Sequence, residues 1–197
     1  MEATKKDKAV VFTFGRFQPP TIGHQKLIEK VKSVARKEGA EHRIYPSRSH
    51  DAKKNPLKPR DKVKYMRKLF PGANIVDDNS MKTAFHVLKQ LSNDGYKTVI
   101  LVVGGDRVKD FESQVRKYIH HPDKKKSFEF DDFRVVSAGE RDPDATDVTG
   151  MSASKMRAAV SENDYNTFKL GIPPGTNEKV IKSLFSDLKK SMGVKES

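Results

Sequence analysis

Apolar residues along this chain fall in short blocks set between charged stretches, and the spacing inside each block predicts an element. Val10-Val-Phe-Thr-Phe14 is a β-rich apolar run that ends at Gly15, as a buried strand does. After a turn rich in Gly and Pro, Leu27, Ile28, Val31, Val34 and Ala35 recur at helical spacing, and Gly39 supplies a stop. Arg43-Ile-Tyr45 predicts a short second strand. Residues 46–59 hold three prolines and many charges and predict a loop, with Pro59 opening a helix whose apolar face is Val63, Met66, Leu69 and Phe70. Ala73-Asn-Ile-Val76 predicts a short strand. Ser80 then caps a helix carrying Ala84, Phe85, Leu88 and Leu91, closed by Asn93-Asp-Gly95. Thr98-Val-Ile-Leu-Val-Val103 has no internal charge, as a strand covered on both faces requires. Phe133 to Val136 is another strand, and Thr176 to Met192 an amphipathic helix. Strands alternating with helices predict an α/β fold, a Rossmann-like doubly wound parallel sheet with a C-terminal helix. Residues 1–197 read as a single domain, with a core of about 9–160 and a helical extension of about 161–197.

Composition narrows the function classes. Lysine and arginine total 39 against 26 acids, a net charge of +13, while 35% of residues are hydrophobic. The apolar blocks are dense enough to build a core, which excludes wholesale disorder. No apolar run approaches the ~20 residues that cross a bilayer, and the polar first residues lack the apolar centre of a secretory signal. Cysteine is absent, which removes disulfides, thiolate catalysis and Cys-based zinc sites. A cytoplasmic protein with no membrane contact is expected.

Ligands of doubly wound folds bind beyond the carboxyl ends of strands. The first strand runs into Gly15-Arg-Phe-Gln-Pro-Pro-Thr-Ile-Gly-His24 and then a helix. Gly15 lets backbone amides approach a ligand, a helix start points N–H groups at the same place, and Arg16 and His24 add donors. That set suits a polyphosphate, although the same residues also suit a plain strand-to-helix turn. The run is neither a Walker A loop nor a GxGxxG fingerprint.

Gly15 to His24 closely resembles the first signature of the nucleotidylyltransferase superfamily, G-x-F-x-P-x-(H/T)-x-G-H. Its Gly-Arg-Phe-Gln-Pro form is most similar to nicotinamide mononucleotide adenylyltransferases. About 130 residues on, Met151-Ser-Ala-Ser-Lys-Met-Arg157 resembles the second signature, I-S-x-T-x-x-R. Lys53-Lys-Asn-Pro-Leu57 with Arg60 is similar to the family's basic loop, and Gly104-Gly-Asp106 to its Gly-x-Asp; Thr83 with Leu88 also looks like the mononucleotide branch. The short, basic chain is further similar to stand-alone phage-encoded members.

The resemblance implies Mg²⁺-dependent transfer of a nucleotidyl group from ATP, or CTP, to a phosphorylated small-molecule acceptor, with pyrophosphate released. Nicotinamide mononucleotide is the acceptor it favours, while pantetheine-phosphate adenylyltransferases and cytidylyltransferases share both signatures. His24, Arg157, Lys54 and Thr21 take the catalytic places. His24 stabilises charge on the α-phosphate rather than acting as a nucleophile, Arg157 forks onto the departing pyrophosphate, and Lys54 or Lys53 reaches the triphosphate from the opposite side. Gly15, Arg16, Phe17, Gln18, Gly23, Ser152, Ser154, Gly105 and Asp106 take the nucleotide-binding places, with Ser152 capping the late helix. Mg²⁺ travels mainly with the triphosphate, and no metal site of the protein's own is expected. Thr21 stands where histidine is common, which keeps a hydrogen bond but removes a titratable group; Ser154 and Met151 replace threonine and isoleucine. Relatives often form homo-oligomers, so one is expected here.

Other features carry blander readings. His120-His121 sits in a turn-like stretch, and without cysteines or a second spaced pair it predicts no zinc site; His42, His50 and His86 add nothing. Residues 53–68 hold eight cations against Asp61 alone. That charge attracts anionic substrates and, at a pI near 9.8, permits weak nonspecific nucleic-acid binding. A rival reading is a basic nucleic-acid- or assembly-binding protein with weakened catalysis. The acidic run from Glu140 to Asp147 is expected to be a turn-rich loop that helps shape the acceptor pocket.

Overall fold

The computed structural model describes residues 8–139 and 150–195. In chain order they form β1 (Ala9–Gly15), α1 (Ile22–Glu38), β2 (Glu41–Pro46), α2 (Pro59–Leu69), α3 (Ala84–Asn93), β3 (Thr98–Val103), α4 (Val108–Arg116), β4 (Asp132–Ser137), α5 (Ala153–Ser161), α6 (Tyr165–Lys169) and α7 (Glu178–Met192). The strands form one sheet in the order β2-β1-β3-β4. β1 pairs with β3 in parallel, Val11 opposite Ile100, and β3 with β4 in parallel, Ile100 opposite Arg134. The chain therefore winds outward from β1 to β2, then crosses β1 to place β3 and β4. This is the doubly wound Rossmann-like plan, with its reversal between β1 and β3.

The described residues fall into two compact units, 8–14, 27–45 and 78–139 in the first and 15–26, 46–77 and 150–195 in the second. In the first unit, Val10, Val11 and Phe12 of β1 and Val99 to Val102 of β3 are wholly buried with Val31 of α1 and Val87, Leu88 and Leu91 of α3. The Thr13 hydroxyl, on the same strand run, donates to the Val102 carbonyl at 2.7 Å and so needs no water. In the second unit α7 packs on α2, α5 and α6. It buries Ile181, Leu184, Phe185 and Leu188, with the Phe185 ring against Phe168 at 5.1 Å. Tyr65 of α2 is held to α7 by Ser183 Oγ at 2.8 Å and by the Asp187 carboxylate.

Two expectations change. Residues 73–76 form no strand, and Ile75 makes only an isolated bridge; four residues with one fully apolar pair offer too little edge to hold a ladder. The cap of α3 is Thr83, whose side chain accepts from the His86 amide, while Ser80 bonds Asp78 in the preceding turn. The sequence reading also missed α4 and α6. α4 is largely polar and buries only Val115, and α6 has five residues.

Candidate active site

The loop after β1 is clamped on several sides within the second unit. The Ser47 amide donates to the Gly15 carbonyl at 2.7 Å. The Lys62 ammonium donates to the Arg16 carbonyl at 2.6 Å and to Ser47 Oγ at 3.0 Å. Buried Gln18 pairs doubly with Leu57, its amide nitrogen donating to the Leu57 carbonyl at 3.0 Å and its oxygen accepting from the Leu57 amide at 2.8 Å. The Gln18–Pro19 peptide is cis. Phe17 lies at φ 51, the left-handed region that costs an L-residue roughly 1–2 kcal/mol. It is held there by complete burial and by its ring packing on the His24 ring at 4.6 Å. A Cβ on Gly15 would stand 3.0 Å from the Phe17 ring, which is why glycine occupies that position.

His24 is oriented by Thr21. The Thr21 amide donates to His24 Nδ1 at 3.0 Å, and the Thr21 hydroxyl lies 3.2 Å from the same nitrogen. An amide can only donate, so Nδ1 is the acceptor, and a neutral ring carries its proton on Nε2. The same hydroxyl accepts from the His24 amide at 3.2 Å, capping α1. Thr21 is buried, and its amide and hydroxyl both meet the His24 ring. Of the first amides of α1, that of Ile22 donates to the Gly171 carbonyl at 2.8 Å and that of His24 to Thr21. Gly23, exposed and without a side chain, is the first-turn position where a ligand can come close to the backbone.

The second signature sits on α5. Ser152 is its N-cap and accepts from the Lys155 amide at 3.1 Å. Arg157, one turn in, donates from Nη1 to the Gln18 carbonyl at 2.8 Å and from Nη2 to Ser154 Oγ at 3.2 Å. The guanidinium thus joins two segments 139 residues apart. Burial, then repulsion from Arg16, draws its pKa below the usual arginine value, and Asp51 opposes this in part. Asp51 also organises the loop that carries Lys54, accepting from the amides of Lys53 at 2.9 Å and Lys54 at 2.8 Å and from the Asn55 side chain at 2.7 Å. Those donors hold its carboxyl far below the ordinary carboxylate range.

The second unit therefore holds Gly15, Arg16, Phe17, Gln18, Thr21, Gly23, His24, Lys54, Ser152, Ser154 and Arg157. Gly105 and Asp106 belong to the first unit, in a short 3-10 turn after β3; the Gly105 amide donates to the Gly139 carbonyl at 3.2 Å, and Asp106 is exposed. The run from Glu140 to Asp147 lies outside the described residues. His120 pairs with Glu129 at 2.6 Å, part of a turn in which Ser127, His120 and Lys124 hold the Glu129 carboxyl down to about 2. Among the described residues no group of three or more His, Cys, Asp or Glu gathers as a metal site. No helix among them is long and apolar enough to cross a membrane.

Lys62, Asp51 and Gly171 were missed from sequence. Lys62 stands four residues before Met66 and seven before Leu69, inside the apolar stripe of α2, a signal masked by the basic run around it. Seven of the eight cations in residues 53–68 are exposed, and Lys62 alone among them is buried. Arg60, Lys64, Arg67 and Lys68 line an open groove of about 590 Å³ with Asp61, Val63 and Asp77. Asp51 ahead of Lys-Lys-Asn carries the signature of an Asx-type turn.

The Cytidylyltransferase-like family model matches residues 12–162. No curated protein matches the sequence. Among solved structures the chain is similar to Thermotoga maritima TmcAL bound with alpha-thio ATP, at a TM-score of 0.56 and 9% identity, over 92% of this chain and 56% of that one. At that identity the likeness speaks for the fold, and this chain spans little more than half of that neighbour's length. With the family match extending from β1 through α5, the chain belongs to the cytidylyltransferase-like family of nucleotidyltransferases.

Proposed function

We propose that the protein transfers the adenylyl group of ATP to a phosphorylated acceptor, nicotinamide mononucleotide or its acid form, and releases pyrophosphate. The observation that carries the reading is Arg157 fastened to the Gln18 carbonyl while the Arg16 guanidinium repels it. Two cations brought together at a loop with outward amides form an arrangement that a polyphosphate relieves. The Gly-Arg-Phe-Gln-Pro form of that loop and Gly104-Gly-Asp106 support the mononucleotide as acceptor.

In the step, an acceptor phosphate oxygen bonds to the α-phosphorus as the bond to the bridging β-phosphate oxygen breaks, and pyrophosphate leaves with that electron pair. Such transfers depend on positioning and charge stabilisation. His24 donates Nε2–H to the α-phosphate as its charge grows. Each Nη of Arg157 has a second N–H, which meets the departing pyrophosphate without releasing Gln18. The Ser152-capped start of α5 offers its amides to the β- and γ-phosphates. Lys54 approaches from the loop set by Asp51. Mg²⁺ would be carried by the triphosphate oxygens, where it would supply neutralisation of their charge.

The test is His24→Ala. Turnover falls by ~10²-fold or more, while ATP binding, measured separately by calorimetry, changes by less than about tenfold. Unchanged turnover refutes the assignment of His24.

A further inference from the structure

Lys62 carries its charge where no solvent reaches it: the side chain is wholly buried, and no carboxylate pairs with it among the described residues. A buried ammonium without an anion is costly, so its retention asks for an explanation in what it touches. Its two partners are the Arg16 carbonyl and Ser47 Oγ, and the Ser47 amide in turn holds the Gly15 carbonyl. Lys62 and Ser47 therefore grip two consecutive peptide groups of the loop from the inside. In a trans peptide the C=O and the following N–H point in opposite directions. Fixing the Gly15 carbonyl inward sends the Arg16 N–H outward, and fixing the Arg16 carbonyl inward sends the Phe17 N–H outward.

We propose that Lys62 is a positioning residue for nucleotide binding, which from inside the second unit sets the Arg16–Phe17 peptide so that the loop's amides face the triphosphate. This rests on the nucleotidyl-transfer reading above. The role differs from that of Arg157, which grips the Gln18 carbonyl two residues further along the same loop but also faces the substrate.

Its charge state adds a second readout. Burial, then repulsion from Arg48, lowers the Lys62 pKa to about 7. Arg48 is itself paired with Asp77 at 2.7 Å. Lys58, the N-cap of α2, and Asp61 in its first turn are exposed, as is the Arg16 side chain on the loop. A triphosphate seated on the loop supplies the anion that Lys62 lacks and favours its protonated form. Binding above neutral pH then takes up a proton.

The experiment is calorimetric titration of the full chain with a non-hydrolysable ATP analogue, near pH 8, in two buffers of different ionisation enthalpy. Wild type, Lys62→Met and Lys62→Arg are compared, with thermal melts of each. The expected results are proton uptake on binding by wild type, its loss in both variants, and about tenfold weaker binding by K62M. K62R, which keeps charged donors, recovers part of that affinity. K62M melts no lower than wild type, because an apolar side chain of similar length fills the buried position; weaker binding by an equally stable protein is not what a merely structural lysine produces. Wild-type affinity in K62M, or wild-type proton uptake in K62R, overturns the proposal and leaves the functional reading standing. Wild type that binds no triphosphate removes the functional reading and the proposal together.

Discussion

Gly15→Ala tests whether the loop is a tightly coupled unit. Gly15 does not have a positive φ, so alanine is compatible with its backbone, and the cost is steric alone. The new methyl would meet Phe17 Cε2 at 3.0 Å and Cζ at 3.3 Å, closer than carbon atoms pack, so the ring must retreat by a few tenths of an ångström. It has little room to do so. Phe17 is wholly buried, sits in a left-handed conformation and packs on the His24 ring at 4.6 Å. Overpacking of this kind costs about 1–3 kcal/mol, and a shift passed to His24 costs roughly 10–10²-fold in turnover. Denaturant melts and pyrophosphate release measure the two effects. Phe17→Leu removes the clash partner, so G15A and F17L should couple, the double variant being less destabilised than the sum of the singles by about 0.5–2 kcal/mol. Strictly additive effects, or full activity in G15A, would refute the account of why glycine stands here.

Three further outcomes follow from the same geometry. Arg157→Lys cannot hold both the Gln18 carbonyl and Ser154 Oγ, so turnover should fall by ~10²-fold and stability by about 1–2 kcal/mol, read by pyrophosphate release and chemical melts. Thr21→Val deletes the hydroxyl that caps α1 and touches His24, costing about 1 kcal/mol and lowering kcat, while Thr21→Ser restores both. For Lys62, the folded pKa of about 7 lies below the ordinary lysine value of 10.5, so between them the unfolded chain binds more protons and stability rises with pH. The contribution is complete above the unfolded value and lost as pH falls through about 7, and K62M should flatten the wild-type slope in that window.

Much of the fold was legible because its strongest elements carry one unmixed signal. β3 is uninterrupted apolar chain, α5 is announced by Ser152, and α7 shows a clean amphipathic stripe closed by Gly193. The loop from Gly15 to His24 stood out through its resemblance to a family signature, and in the structure the Phe17 ring and the Thr21 amide both meet the His24 ring. The remainder depends on contacts far apart in sequence. Nothing local tells that Gln18 pairs with Leu57, or that the Ile22 amide goes to Gly171. Lys62 was hidden by composition, since one buried lysine among seven exposed cations differs from them only in its helical phase. Thr83 displaced Ser80 as a cap because Ser80 was already engaged by Asp78.

The most direct test of nucleotidyl transfer is pyrophosphate release by the purified chain with Mg²⁺. ATP and CTP are each tested against nicotinamide mononucleotide, its acid form, phosphopantetheine and glycerol 3-phosphate, with mass spectrometry of the product. The account predicts release that requires both ATP and a mononucleotide, and a dinucleotide product. A different productive pair would contradict the proposed substrates while keeping the chemistry, and neither release nor triphosphate binding with any pair would contradict nucleotidyl transfer itself.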